Sequence, residues 1–378
     1  MNTLKTVNSL GQSIWLDDIR RDWLQDGTFT KLISEDGLAG VTSNPAIFAK
    51  AIGEGALYGA AIRKLAQDGL TAGNIYERLV LADVQAAADL FRPTFDRTGG
   101  GDGFVSLEVS PHLADDTAGT ITEGRRLWRD FDRPNAMIKV PGTKAGLPAI
   151  RTLISEGINI NVTLLFGLAR YGEVVDAWMS GLEDRIRAGG AVEHISSVAS
   201  FFLSRIDTMV DAKLDALKTP AATAVRARAA IASARLAYEM FEKWVASERW
   251  KKIAALGVKP QRLLWASTST KDPKLPDVYY VEALIAPHTV NTLPRATIDA
   301  FRDHGKPTVR IRENIEDARH TVDALKALGI DLQTVSEALE REGVKKFNEP
   351  FDALIAALEK QVAEAKSGGV AAGKAGVG

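Results

Sequence analysis

The sequence predicts an α/β protein: a parallel sheet closed into an eight-stranded (β/α)8 barrel, with additional C-terminal helices. Short β-type runs alternate with longer helical stretches, the pattern of parallel strands joined by crossover helices. Eight such runs can be read, the number that closes a barrel. Two open doubly wound domains are the alternative, but no Gly-rich dinucleotide fingerprint follows any of the runs.

The strands are read at 13–17, 38–43, 104–109, 136–140, 158–163, 195–200, 262–266 and 283–287. Between them, 54–90 is Ala-rich and long enough for two or three helices, broken near Gly69 and Gly73. The helix at 147–156 runs into Gly157, a C-cap residue. The stretch 221–255 carries Ile231, Leu236, Met240, Phe241 and Trp244 at helical spacing. Helices at 313–328, 332–341 and 349–365 form a tail expected on the outside of the barrel. Residues 1–366 thus read as one barrel domain and 367–378 as a flexible Gly/Ala-rich tail, with too little apolar bulk to order itself. The glycine cluster at 99–103 lacks the spacing of a phosphate-binding loop and is given no catalytic weight.

Composition narrows the function. Lys plus Arg number 47 against 48 for Asp plus Glu, so no basic excess points to nucleic acid or to a membrane surface. With no cysteine, disulfides, thiolate chemistry and zinc–thiolate sites are excluded, and a reducing cytoplasm is the expected location. The polar N-terminus lacks a signal-peptide pattern, and no run is apolar enough to span a bilayer. The five histidines are scattered without ligand spacing, so no metal is expected.

The informative pattern is where polar residues fall on the strands. Asp17 ends the first run and Asn44 follows the second; Glu108 ends the third. Lys139 lies in the fourth, Asn161 and Thr163 share one face of the fifth, and Ser200 ends the sixth, with Arg205 just beyond. In a barrel those C-terminal ends converge on one mouth, where active sites lie. A buried polar group without a partner costs roughly 2–7 kcal/mol, so a ring of them implies a shared purpose. Among Met137, Ile138 and Val140, the Lys139 amine is desolvated, which disfavours its charged form. A neutral amine is the nucleophile that captures a ketone as a Schiff base.

Each residue also has a plainer reading. An ordinary strand lysine reaches solvent or pairs with a carboxylate; it is the surrounding ring that favours chemistry for Lys139. Asp17 or Asp18 would serve to cap the following helix, and Glu108 to pair with Lys139 structurally. Asn161 and Thr163 would be satisfied core polar groups.

The motifs resemble those of the transaldolases. WLDDIR at 15–20 and GVTSNP at 40–45 are similar to that family's opening. VSLEV at 105–109, IKVP at 138–141, ININVTLLF at 158–166 and EGVKKF at 342–347 continue the likeness in order, each of the first five on or beside its own strand. The resemblance implies a TIM-barrel fold and transfer of a dihydroxyacetone unit between sugar phosphates, without a cofactor. It implies Lys139 as Schiff-base lysine, Glu108 and Thr163 positioning a proton-shuttling water, and Asp17 accepting the C4 hydroxyl proton. Asn44 and Asn161 would hold the dihydroxyacetone fragment, Ser200 and Phe202 would lie near the sugar, and Arg205 on the phosphate.

Two departures stand out. Phe201 and Phe202 follow Ser200 where many members show Pro–Phe, and ASTSTK at 266–271 replaces a motif ending in arginine. Lys271 would then supply that cation as a point charge instead of a bidentate fork. An aldolase that cleaves fructose 6-phosphate without transfer is the nearest rival; its group resembles this architecture but is shorter and carries glutamine in place of Glu108. A catalytically inactive barrel used for binding is the other. Related chains carry an isomerase fused behind the barrel, and the Gly/Ala-rich tail would suit such a linker. A homo-oligomer is left open.

Overall fold

The computed structural model describes residues 2–54 and 57–373. The strands are β1 (Gln12–Leu16), β2 (Gly40–Val41), β3 (Phe104–Glu108), β4 (Ala136–Pro141), β5 (Ile160–Leu165), β6 (Ser197–Phe202), β7 (Arg262–Ala266) and β8 (Thr289–Leu293). All neighbours pair in parallel, and β8 returns to β1 to close the barrel. Helices cover the outside, so β4, β5 and β6 are buried along their whole length. Burial on both faces explains why apolar residues outnumber polar ones in them and why the polar residues stand out.

Strands β1 to β7 overlap the runs expected for them, and β8 does not. The apolar run at 283–287 finishes a short helix, Tyr279–Ala283, and then forms a buried loop. The strand follows it in a polar stretch, several of whose groups find partners within the fold while the Asn291 side-chain nitrogen has none among the described residues. The Thr289 hydroxyl donates to the Ala286 carbonyl at 2.6 Å, Asn291 accepts from Thr268 at 3.0 Å, and the Thr292 and Thr42 hydroxyls meet at 2.7 Å. Such partners make Thr and Asn affordable inside a sheet, and an apolar-run criterion overlooks them.

The N-terminal end of the barrel is closed by Trp15. Its ring lies 2.6 Å from where a Cβ on Gly40 would stand, so only glycine fits on β2 there. The indole donates to Asp102 at 2.8 Å, and Arg262 reaches Asp102 at 3.2 Å. The glycine cluster at 99–103 thus delivers a carboxylate to the barrel floor, which gives it a structural part.

Among the helices, the break at Gly69 (φ +89°) is as expected, whereas Gly73 lies in the first turn of the long helix Ala72–Arg97. The stretch at 221–255 divides into Pro220–Ala224, Ala229–Val245 and Glu248–Ala254. Two expectations for the tail are corrected. The helices read at 332–341 and 349–365 are one helix, Leu332–Gly373, with Pro350 inside it. Nor does all of it stay on the outside: it packs on the outer helices Pro45–Glu54, Gly59–Gln67 and Ala72–Arg97, where Phe351 meets Tyr76 at 5.3 Å, but Phe347 comes to 5.7 Å from the Lys139 amine. This C-terminal helix therefore crosses the mouth of the barrel. The tail read at 367–378 falls on its last turns and on residues 374–378, which lie outside the described residues. No helix among the described residues is long and apolar enough to cross a membrane.

Candidate active site

Strand register assembles the centre of the site. Glu108 on β3 pairs with Lys139 on β4, which pairs with Asn161 on β5, so the three stand at one level of the barrel. Strand alternation turns them to the same side. The Lys139 and Glu108 side chains are 4% and 3% exposed. Lys139 donates to the Ser43 carbonyl at 3.0 Å and lies 3.2 Å from Glu108 Oε2. The ion pair read as the plainer alternative is therefore present, yet neither Glu108 oxygen has a fully formed hydrogen bond to any of the described residues. A purely structural pair would be expected to satisfy those oxygens. Burial pushes the Glu108 carboxyl up, and the nearby Lys139 amine pulls it back. A carboxyl poised in this way can hold the proton that an amine must give up before it attacks a carbonyl.

Asp17 follows β1 and accepts from the Thr42 hydroxyl at 2.8 Å. It does not cap the next helix, and neither does Asp18: that helix, Arg21–Gln25, begins after Arg20 with no side-chain cap. Asp17 keeps some exposure toward the mouth, yet the surrounding protein raises its carboxyl, opposed by Lys139, the Thr42 hydrogen bond, Arg205 and Lys271. Two acids flanking one amine in different surroundings suit separate proton-transfer tasks.

Asn161 is held on both sides, donating to the Ser106 hydroxyl at 3.0 Å and accepting from Ser200 at 2.7 Å. Thr163, two residues along β5, is fully buried with its hydroxyl unpartnered among the described residues. Just beyond it the register of β5 against β6 shifts, and Leu164 adopts φ +60°. Such bulges recur beside active sites, where they re-aim side chains. Asn44 is placed differently from the others. Its side-chain oxygen accepts from Ile47 N–H at 3.0 Å, inside the helix Pro45–Glu54.

The far side of the mouth is cationic. Arg205 lies over the Phe202 ring at 5.5 Å and near Phe347 at 6.0 Å, with Nη1 buried and unpartnered among the described residues. Burial lowers Arg205, while Glu342 and Asp17 oppose that shift. Arg205, Lys213, Lys271 and Lys346 line a cleft of about 720 Å³ whose acid is Glu342. Lys271 itself donates to the Ser269 hydroxyl at 2.9 Å. Four cations around one acid fit an anionic group such as a phosphate. Among the described residues, no three His, Cys, Asp or Glu side chains gather as metal ligands.

The sequence reading missed several supporting groups. Ser106 was findable, since it lies two residues before Glu108 and shares its face. Thr42 and the Ser43 carbonyl sat inside a quoted motif but act across strands. Phe347 and Glu342 belong to a late motif to which no role was given.

Comparisons with known proteins bear on the family. A family model described as transaldolase/fructose-6-phosphate aldolase matches residues 14–358. A transaldolase of Frankia alni is 49% identical over 97% of this chain and 100% of its own length. Those of Thermobifida fusca and Thiobacillus denitrificans are 47% and 45% identical, each over 95% of this chain and over 98% and 100% of their own lengths. A family model that covers the closed barrel and relatives that match the chain nearly end to end lead to one conclusion: the chain belongs to the transaldolase/fructose-6-phosphate aldolase family.

Proposed function

We propose that this chain is a transaldolase of the pentose phosphate pathway, moving a dihydroxyacetone unit from a ketose phosphate to an aldose phosphate through a Schiff base on Lys139. The observation that carries this reading is the buried Lys139 amine 3.2 Å from an otherwise unpartnered Glu108 carboxylate. The neutral amine adds to the donor's C2 carbonyl, and the carbinolamine loses water as Glu108, with Thr163, moves protons through a water. Asp17 takes the proton of the C4 hydroxyl, and the C3–C4 electron pair moves toward the iminium as that bond breaks. An aldose phosphate leaves, and the enamine stays on Lys139. A second aldose phosphate then accepts the fragment by the reverse sequence, and water releases the new ketose phosphate.

Asn161, clamped by Ser106 and Ser200, suits the dihydroxyacetone fragment, and Asn44, just past β2, assists it. Arg205 on the Phe202 ring and Lys271 take the phosphate. Donors are sedoheptulose 7-phosphate and fructose 6-phosphate; acceptors are glyceraldehyde 3-phosphate and erythrose 4-phosphate. Phe347 over the amine supports transfer over simple cleavage, because an enamine kept from water waits for an acceptor.

The test is borohydride reduction with fructose 6-phosphate followed by peptide mapping, with rates compared in the presence and absence of an acceptor aldehyde. The adduct is expected on Lys139, and Lys139→Ala should abolish both adduct and transfer while the barrel stays folded. An adduct on another residue, or turnover by Lys139→Ala, refutes the nucleophile. Equal donor consumption without acceptor refutes transfer in favour of aldolase activity.

A further inference from the structure

Besides the mouth, residue Glu108 lines a second space, from which its carboxylate oxygens are set back by burial. A cavity of about 270 Å³ is lined by the segments after β2 and β3, by helices Pro45–Glu54, Ala72–Arg97 and Thr117–Phe131, and by Phe351. Glu108 and Ser43 belong to its wall, together with Tyr76, Glu77, Glu123 and Arg126. Because a water occupies roughly 30 Å³ of liquid volume, the cavity has room for several. The Glu108 oxygens are buried and no hydrogen bond among the described residues engages them.

Glu123 is a carboxyl that nothing in the proposed mechanism uses. It accepts the backbone N–H of Ser110, two residues after Glu108, and burial raises its carboxyl. Arg126 approaches it at 3.5 Å but is also engaged by Glu77 and by Asp130 at 3.7 Å. Tyr76 is held edge-on between Phe48 and Phe351, at 6.5 and 5.3 Å. Both Glu108 and Glu123 bear on its hydroxyl, which burial keeps protonated. A hydroxyl that stays protonated passes protons on without becoming a trap.

Imine chemistry loads and unloads Glu108 repeatedly. During those steps the sugar phosphate fills the mouth under Phe347, and an exchangeable proton needs another way to solvent. We propose that the side cavity is this route, and that Glu123, through Tyr76 and cavity water, exchanges protons with Glu108 while substrate is bound. The proposal rests on the roles given above to Lys139 and Glu108. Only O–H bonds change: the Glu108 carboxyl gives its proton to the cavity, the Glu123 carboxylate takes one up, and it returns one to solvent. The reverse order reloads Glu108. Glu123 acts through Glu108 and does not touch the sugar.

The experiment measures imine formation in single turnovers quenched with borohydride, in H2O and in D2O, for the full chain and its Glu123→Gln, Glu123→Ala and Tyr76→Phe variants. Glu123→Gln is expected to slow imine formation roughly tenfold, less than the about 10²–10⁴-fold of a group that contacts the reacting atoms. The solvent isotope effect should rise and donor affinity stay unchanged. Millimolar formate should restore part of the rate to Glu123→Ala. Unchanged rate and isotope effect in both Glu123→Gln and Tyr76→Phe overturn the route. A rate loss with weaker donor binding and no rescue by formate also overturns it, leaving Glu123 a structural part. Should the Glu123 variants fail to fold, Tyr76→Phe, which loses one hydroxyl, decides by the same readouts. If the unmodified enzyme gives no adduct on Lys139, the underlying site reading has failed instead, a result separate from either of these.

Discussion

Replacing Glu108 by Gln keeps the side chain's shape and removes the charge 3.2 Å from Lys139. Two unit charges at that separation attract by about 5 kcal/mol in a medium of effective dielectric about 20. Desolvation of the pair offsets part of this, and stranding one member of a buried pair costs about 3–5 kcal/mol. The variant should therefore be less stable by about that amount in urea unfolding. It also loses the group proposed to take the amine's proton, so imine formation should slow by about 10²–10⁴-fold. Any residual turnover should show a larger share of free aldol cleavage relative to transfer. The assays are unfolding at neutral pH, single-turnover trapping on Lys139 and a product ratio with acceptor present. Full stability with an unchanged trapping rate and ratio would refute the reasoning, since it would mean the pair governs neither folding nor chemistry.

Lys271→Ala should weaken binding of phosphorylated donors with little change in the chemical rate at saturation, and the effect should fade at high salt. Equal donor affinity before and after would exclude Lys271 from the phosphate. Phe347→Ala removes the ring near both the Lys139 amine and Arg205; it should admit water and raise donor consumption without acceptor, read by comparing product yields. Asp207 is buried, accepts Ala230 N–H at 2.8 Å and the Tyr280 hydroxyl at 2.7 Å, and burial pushes it from 3.8 to about 6. The folded state thus binds this proton more tightly than the unfolded chain does. Its contribution, on the order of 3 kcal/mol, is full at low pH and is lost as pH rises toward about 6. Asp207→Asn should flatten that slope in urea unfolding between about pH 4.5 and 7; an unaltered slope would count against the buried proton.

Much of this protein was legible locally. Seven strands, the break at Gly69 and the cap at Gly157 follow from dihedral preferences and from apolar periodicity within short windows of chain. The same windows exposed Lys139, Glu108 and Asn161, because a polar residue inside an apolar strand is conspicuous without any partner being known. β8 escaped because its Thr and Asn groups find partners on other segments, in Ala286, Thr268 and Thr42.

What the sequence determined alone was the set of reactive groups and the strand each one rides on. Tertiary structure decided which of them meet. The β3–β4–β5 register sets Glu108, Lys139 and Asn161 at one level, and Thr42 on β2's end turns to Asp17. The C-terminal helix lies across the mouth and brings Phe347 to an amine on a distant strand. Periodicity records only which side of its own element a residue takes. Contacts between elements depend on how their surfaces pack together, and no short stretch of chain contains that information.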